Sequence, residues 1–336
     1  MGFYNKVLIG ALVLLVTVVL FQVSGLSRTI EALRGIADGR GASFNDILER
    51  YRFSNSKLKT TKPNLWIHLT VNKDLPFPGV GSLAGAQINE PFSFKNVPAL
   101  ERVCAGSIID HNKKDFNIIL ITDNDLPLLL PGWNVNLAAI PEAGRCVVRQ
   151  VAMLRLVYYY GGLVCPSTFA ATGPFSTVLA SSALSSNSVI TAFEVPQSGA
   201  NIGPAAQRAT MVPSSKFLYA RELNPSIRKI IDSLSLRTGT DAQVAAFKDL
   251  ASGVMTDLEK EKKVVVVSGK VIGTADADGQ TVTVAQSING FQRAPGSIGI
   301  LVPQRVFEVR EYGWLTHEEP IKIIQGSSWL GRQLRA

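Results

Sequence analysis

Two pairs of aspartates in this 336-residue chain have the alternate spacing that could hold a divalent cation. Asp123 and Asp125 frame the stretch DND, and Asp276 and Asp278 frame the stretch DAD. Carboxylate oxygens are the ligands that Mg²⁺ and Mn²⁺ prefer. Asp and Asn also favour tight bends, and Gly279 follows the second pair. Turn formation is therefore the expected role of both pairs, with Asp123 and Asp125 as the alternative carboxylates for Mn²⁺ or Mg²⁺.

The three histidines predict no nucleophilic constellation. His68 falls within a predicted strand, where a histidine that is hydrogen-bonded in the core or in a pocket is expected. His111 ends a predicted helix, whose C-terminal dipole favours it. His317 lies beside two glutamates in a predicted solvated cluster. No Ser-His-Asp or Cys-His arrangement is indicated, so covalent catalysis is not expected.

The three cysteines have the spacing of neither a zinc site nor a disulfide framework. A bridge between Cys146 and Cys165 is left open. Buried free thiols, including Cys104, are the expected state.

The first half of the chain alternates predicted strands and helices, which indicates a parallel sheet with crossover helices. A helix from Arg145 to Tyr160 ends at Gly161, and another helix covers NVPALERVCAGSIIDHN. The predicted strands are LWIHLTV, FNIILITDND, GLVC and SVITAFEV, with VNLAAI as a further short strand.

The second half predicts a different arrangement. We expect helix in two pieces, split at Pro225, across PSSKFLYARELNPSIRKIIDSLSL, and a further helix in DAQVAAFKDLASGVMTDLEKEK. A hairpin is expected to turn at Asp278-Gly279, between KVVVVSGKVIGT and QTVTVAQ. GILVPQRVF is a late strand. The hairpin makes the predicted sheet mixed rather than wholly parallel.

The N-terminal segment Val7 to Val23 contains no charge and predicts a single-pass signal anchor in the lipid bilayer, with a cleaved secretory signal as the alternative. Arginines follow the segment, and no Asn-x-Ser/Thr sequon is present. Both features favour a cytosolic C-terminal domain, although the side of the membrane stays open. We predict an anchor at residues 1–26, a helical stem at 27–60 with a helix capped by Ser43, and an α/β domain at 61–336.

Composition excludes two classes of protein. The chain is 46% hydrophobic and 18% charged, which argues against disorder. The formal net charge is +8, but the lysines and arginines are scattered and do not interleave with aromatic residues. Nucleic acid is therefore not an expected partner.

Five stretches, taken in chain order, follow the pattern of one enzyme family over roughly Thr61 to Arg332. They are KPNLWIHLTVN, KKDFNIILITDND, RQVAMLRLVYYYGGLVCPSTF, ATGPF and IIQGSSWLGR. Together they resemble the sugar-binding-region, Asp-x-Asp type of glycosyltransferase, which includes the Golgi initiating mannosyltransferases. The resemblance implies an α/β fold of the nucleotide-sugar (GT-A-like) kind, with a mixed, mainly parallel sheet flanked by helices, and an N-terminal anchor.

The chain departs from that pattern at the metal site. Aligned on Gly161-Gly162, the two aspartates of the family fall at Pro166 and Thr168. Proline offers no side-chain ligand, and threonine offers a neutral hydroxyl. A metal that neutralises a diphosphate leaving group would be held much more weakly here.

The helix before the glycine pair departs as well. The family's aspartate falls at Gln150, its arginine at Met153, and a C-terminal histidine of the family falls near Ile323. The apolar frame is kept while the expected donor-site residues are changed.

Two functions follow from this reading. The first is a non-catalytic, membrane-anchored protein that needs no cofactor and binds protein partners, as a structural or interaction component of a membrane-associated assembly; by analogy with transferase-like genes of large DNA viruses, a virion is one setting. The second is a metal-independent transferase in which Arg145, Arg149 or Arg155 contacts the phosphates.

Overall fold

The computed structural model describes residues 43–58, 60–71, 93–140, 142–180, 189–196, 209–235 and 251–335. Within these ranges no helix is long and apolar enough to cross a membrane. The predicted anchor at Val7 to Val23 lies outside them.

The described strands form a six-stranded sheet and a two-stranded sheet. The order in the larger sheet is β2-β1-β3-β6-β5-β7, and β6 is antiparallel to both neighbours while the other five strands run in one direction. β4 and β8 pair antiparallel in the smaller sheet. The strands are β1 Asn64–His68, β2 Asn117–Ile121, β3 Gly162–Val164, β4 Phe169–Ala171, β5 Ile190–Pro196, β6 Met211–Ala220, β7 Val264–Val267 and β8 Gly299–Leu301. The predicted mixed, mainly parallel sheet is confirmed.

Apolar side chains bury both faces of this sheet. Leu65 and Ile67 of β1 belong to one core cluster, and Trp66 between them belongs to the cluster on the opposite face. Successive side chains of a strand point to opposite faces, so a strand covered on both sides must be apolar throughout. This explains the uninterrupted stretches LWI and IILI.

Eleven α-helices lie in the described ranges, and helices cover the sheet on both sides. They are α1 Phe44–Glu49, α2 Ala99–Asn112, α3 Leu126–Leu129, α4 Glu142–Tyr160, α5 Ser176–Leu179, α6 Pro225–Ser235, α7 Ser252–Lys260, α8 Val284–Asn289, α9 Trp314–His317, α10 Pro320–Gln325 and α11 Trp329–Arg335. The predicted helices before β2 and before β3 are confirmed as α2 and α4.

The glycine pair between α4 and β3 has a steric reason. Gly161 and Gly162 have φ values of +63° and +105°, a backbone conformation that residues with a side chain rarely adopt. A Cβ on Gly162 would lie 2.2 Å from the carbonyl oxygen of Asn64. The pair therefore lets α4 turn sharply into a strand that packs directly against β1.

The prediction of helix across PSSKFLYA is wrong. These residues belong to β6, which lies between β3 and β5. Helix propensity is a weak prior that tertiary pairing overrides, and here two neighbouring strands supply the pairing. The second predicted piece, from Pro225, is confirmed as α6.

The predicted turn at Asp278-Gly279 is present, with a single antiparallel bridge beside it, but the two long paired strands expected on either side are not formed. β7 pairs in parallel with β5, and an isolated bridge between Ala275 and Thr281 stands where the hairpin was expected. The chain then enters α8, because Thr283 and Gln286 form a capping box that starts a helix. The short strand expected in VNLAAI is a 3₁₀ turn at Leu137–Ala139.

The described part of the predicted stem packs on the α/β domain. Ser43 caps α1 through a capping box with Asp46, as the sequence predicts. Leu48 of α1 is fully buried in the core, and Arg52 forms a parallel β-bridge with Leu120 of β2. The division between stem and domain at residue 60 stays a prediction.

Candidate functional site

The carboxyl ends of β1, β2 and β3 meet at one edge of the large sheet. His68 ends β1, Asp123 follows β2 by two residues, and Pro166 follows β3 by two residues. Open α/β sheets bind ligands outside the carboxyl ends of their strands. We call this region the carboxyl edge.

Asp123 lies at the centre of a charged network, which we call the Asp123 cluster. Its Oδ1 lies 2.8 Å from Nε2 of His68. Arg149 donates from Nε to Oδ1 at 2.9 Å and from Nη2 to Oδ2 at 2.6 Å. This two-point geometry is the strong form of an arginine–carboxylate pair. Both oxygens of Asp123 are therefore engaged by this network.

The ionised form of Asp123 is the stable one. Burial by itself raises the pKa of this carboxyl group, but hydrogen bonds and charge from His68 and Arg149 outweigh burial and hold the pKa well below its usual range. Asp123 therefore carries its negative charge at neutral pH.

Asp125, the other member of the predicted pair, has a conformational role. It is 7% exposed, and its Oδ2 accepts hydrogen bonds from the backbone N–H and the hydroxyl of Thr122, at 2.7 and 2.9 Å. This is the capping interaction that the turn interpretation predicts. In the described ranges no group of three or more His, Cys, Asp or Glu side chains is placed to hold a metal ion.

The pair at Asp276 and Asp278 lies in a turn. Oδ1 of Asp276 accepts from the backbone N–H groups of Asp278 and Gln280, at 3.0 and 2.8 Å. Such bonds from an aspartate to its own chain define the turn chemistry expected from the sequence.

Thr168 and Pro166 place no carboxylate at the carboxyl edge. Thr168 is 1% exposed, and its hydroxyl donates to the carbonyl oxygen of Val302 at 2.6 Å. Pro166 is partly exposed at the start of the same turn. Thr168 lies directly before β4, and its hydroxyl therefore extends the pairing of β4 with β8 by one residue.

The other positions that align with the sugar-donor site of the resembled family, Gln150 and Met153, face the interior of the protein. Gln150 is buried, and its side-chain amide donates to the hydroxyl of Ser215 on β6. Met153 is 6% exposed within the apolar cluster around α4. Both residues join α4 to the sheet, as Gly161 and Gly162 join α4 to β3.

The structure does not bring the three candidate phosphate-binding arginines together. Arg149 binds Asp123, and Arg145 lies one turn earlier on the same face of α4. Arg155 donates to the carbonyl oxygen of Pro131 and lines a separate groove of about 210 Å³ with Tyr158 and Tyr159.

Sequence reasoning missed Glu101, a carboxyl group buried beside the carboxyl edge. It lies in the first turn of α2 and is 1% exposed. Its Oε2 accepts from the backbone N–H of Thr70 at 3.0 Å, and its side chain is also hydrogen-bonded to Ser167. Cys104 and Ala105, three and four residues after Glu101, are buried on the same helix. This helical spacing was the available signal that Glu101 lies on the buried face.

Burial raises the pKa of Glu101 to about 7, against the lowering effect of hydrogen bonds from Thr70 and Ser167 and of the charge on Arg149. The carboxyl group can therefore gain or lose a proton near neutral pH. Perturbed carboxyl groups of this kind concentrate at functional sites.

The Cys146–Cys165 disulfide is not formed; Cys104 and Cys165 are buried, as expected, whereas Cys146 is half-buried. Burial raises the pKa of the Cys104 and Cys165 thiols, so both are neutral. His111 and His317 lie in the last turns of α2 and α9 and are not part of the Asp123 cluster.

No protein-family model and no curated protein matches the chain. Among solved structures, the chain is similar to one titled PaToxG Glycosyltransferase, at 14% sequence identity over 70% of this chain and 80% of that chain, with a TM-score of 0.34. At this TM-score the likeness decides neither fold nor activity. The sheet order of this chain is the evidence for a mixed α/β protein, consistent with a glycosyltransferase-like fold.

Proposed function

We propose that the chain is a membrane-anchored protein of glycosyltransferase-like fold that has lost metal-dependent sugar transfer. In this proposal it serves as a structural or interaction component of a membrane-associated assembly, of which a virion is one setting. The apolar, charge-free segment from Val7 to Val23 supports the anchor.

The observation that carries the proposal is that the polar side chains at the carboxyl edge are already hydrogen-bonded within the protein. Both oxygens of Asp123 bind His68 and Arg149, and Asp125 caps its own turn. The hydroxyl of Thr168 donates a hydrogen bond to a backbone carbonyl oxygen. A metal–diphosphate complex needs carboxylate oxygens that are free to coordinate the cation, and binding it at Asp123 would require breaking a two-point ion pair.

One observation favours a second candidate, the metal-independent transferase. Arg145 and Arg149 lie one turn apart on the same face of α4, and the charge of Arg149 acts on Glu101, whose pKa is raised by burial to about 7. Arginine can neutralise a diphosphate in place of a metal. In this candidate Arg149 must exchange its bond to Asp123 for a bond to the phosphate.

A thermal-shift titration of the full chain in a mild detergent separates the two candidates. The probes are uridine and guanosine diphosphates and their sugars, each with Mn²⁺ and with EDTA. A ligand at a hundred times its dissociation constant stabilises the folded state by about 2.7 kcal/mol. We expect no shift under either condition.

Each other outcome has a defined meaning. A shift that needs Mn²⁺ would overturn the proposal that the metal site is lost. A shift in EDTA that disappears in Arg149→Gln but persists in Arg155→Gln would favour the metal-independent transferase. Arg155→Gln is the matched control because it lies on the same helix but outside the Asp123 cluster.

A further inference from the structure

Glu101 joins two strand ends at the carboxyl edge to a helix. Thr70, which donates to it, lies two residues after β1, and Ser167 lies three residues after β3. The two strands are adjacent and parallel. A single carboxyl group on α2 therefore holds the segments that leave two neighbouring strands.

The charged groups around Glu101 do not neutralise it. Arg149 on α4 is the cation that acts on it, and Arg149 is already bound to Asp123. Cys104, on α2 itself, and Cys165, after β3, have raised pKa values and remain neutral thiols. The neighbouring Arg102 lies on the side of α2 that faces α1 and α10. Its guanidinium donates to the side-chain oxygen of Asn45, and burial lowers its pKa against the raising effect of the charge of Glu319.

Both protonation states of Glu101 can satisfy their hydrogen bonds locally. The ionised carboxylate accepts from the N–H of Thr70 and from the hydroxyl of Ser167. The neutral acid donates its own proton if the hydroxyl of Ser167 rotates to accept it. The two states therefore differ mainly in the cost of burying a charge, and that cost falls on the ionised form.

We propose that Glu101 is a proton-operated latch, which when protonated holds the ends of β1 and β3 against α2 and when ionised loosens them towards water. This regulation of the carboxyl edge goes beyond the proposed function and does not depend on whether any sugar transfer remains.

The direction of the pH effect follows from linkage. The pKa of Glu101 is about 7 in the folded protein, above its ordinary value of 4.5, so the folded state favours the neutral acid. The stabilisation is complete below pH 4.5, is lost progressively as the pH rises to about 7, and is absent above it. Opening of the latch should therefore become easier as the pH rises from about 4.5 to about 7 and should then level off.

Hydrogen exchange at the Thr70 amide tests the latch directly in the full chain. We expect its protection factor, corrected for the intrinsic exchange rate, to fall by about sevenfold between pH 5 and pH 6 and to level off above about pH 7, because opening releases one proton per molecule only while the closed state still holds that proton. The same fall should be absent in Glu101→Gln, which keeps the size and an acceptor oxygen. It should persist in Glu259→Gln, a change at an exposed glutamate of α7.

A second measurement does not require the Glu101 variant to fold. Carbon-13 NMR of the glutamate carboxyl groups in the unaltered chain should show one group that titrates near neutral pH. A titration in which every glutamate has its midpoint below pH 6 would overturn the proposal, as would a Thr70 protection factor that is constant from pH 6 to pH 8. Neither outcome bears on nucleotide binding, so the latch and the proposed function can fail separately.

Discussion

Two carboxyl groups at the same edge of the sheet have pKa values that are shifted in opposite directions. Asp123 is ionised, because His68 and Arg149 contact both of its oxygens. Glu101 is more deeply buried, and its hydrogen-bond donors are a backbone N–H and hydroxyl groups. Burial raises the pKa of both groups, and the charge of the donors, not only the number of hydrogen bonds, decides whether that rise is reversed.

The positions of the two groups in the fold explain the difference. Asp123 follows β2 and faces both the end of β1 and the arginine-bearing face of α4. Glu101 lies on α2, and the arginine beside it in sequence points to the other side of that helix. Adjacent positions on a helix diverge by about 100°, so sequence neighbours need not share a partner.

Removing the arginine is the strongest test of the contrast. Arg149→Met leaves the charge of Asp123 with His68 alone, and loss of one partner of a partly buried ion pair should lower the free energy of unfolding by about 3 kcal/mol. Arg155→Met, on the same helix but bonded to one backbone carbonyl, should cost under about 1 kcal/mol. Chemical unfolding of both variants measures the difference. Equal losses would show that the ion pair is not what stabilises the carboxyl edge.

Removing the charge of Asp123 should cost somewhat less. Asp123→Asn keeps the shape but loses charge-assisted bonds, at about 2 kcal/mol at neutral pH. The pKa of Asp123 is depressed, so its stabilisation is present above the ordinary value of 3.8 and is lost as the pH falls below that value. The variant should therefore lose less stability between pH 5 and pH 2 than the unaltered chain does. Parallel acid-unfolding curves for the two would contradict the predicted state of Asp123.

The structural role of Thr168 predicts a smaller effect. Thr168→Val removes the donor to the Val302 carbonyl and should lower the free energy of unfolding by about 1 kcal/mol. Thr177→Val is the matched control, since its hydroxyl donates to Pro174 at an exposed position and should change stability by under about 0.5 kcal/mol. If the two variants unfold alike, the hydroxyl of Thr168 does not stabilise the pairing of β4 with β8.

The smallest expected effect is a change in the pKa of Glu101 when Ser167 is replaced. Ser167→Ala removes a hydrogen bond that lowers the pKa of Glu101, so the pKa should rise further above about 7. The pH range over which the stabilisation from Glu101 is lost then moves upwards. Carboxyl NMR titration measures this shift, and an unchanged midpoint would mean that Ser167 does not act on Glu101.

Sequence reasoning predicted the parallel part of the fold well, because local pattern and tertiary environment agree there. The strands β1 and β2 and the helices α2 and α4 are confirmed, and Gly161 closes α4 as expected. It failed at β6, where the stretch MVPSSKFLYA carries no strong strand pattern and pairing with β3 and β5 decides the outcome. It also failed at the second strand of the expected hairpin, where the capping box at Thr283 starts a helix and was overlooked.

The candidate site was predicted only in part. Alignment on the glycine pair placed Pro166 and Thr168 after β3, and the structure shows where the Thr168 hydroxyl goes. The pairing of Arg149 with Asp123 joins residues 26 positions apart, and neither residue type implies the other. Glu101 was missed because a glutamate in the first turn of a helix is ordinarily explained by the helix dipole.

The sequence by itself determined which segments are apolar enough to be buried on both faces, where α4 must stop, and that positions 166 and 168 carry no carboxylate, because these properties follow from residue type and spacing alone. Tertiary structure decided which donors reach each carboxyl group. Asp123 and Glu101 have similar chemistry, and their opposite protonation preferences arise from contacts made across β1, β3 and α4, which no local pattern encodes.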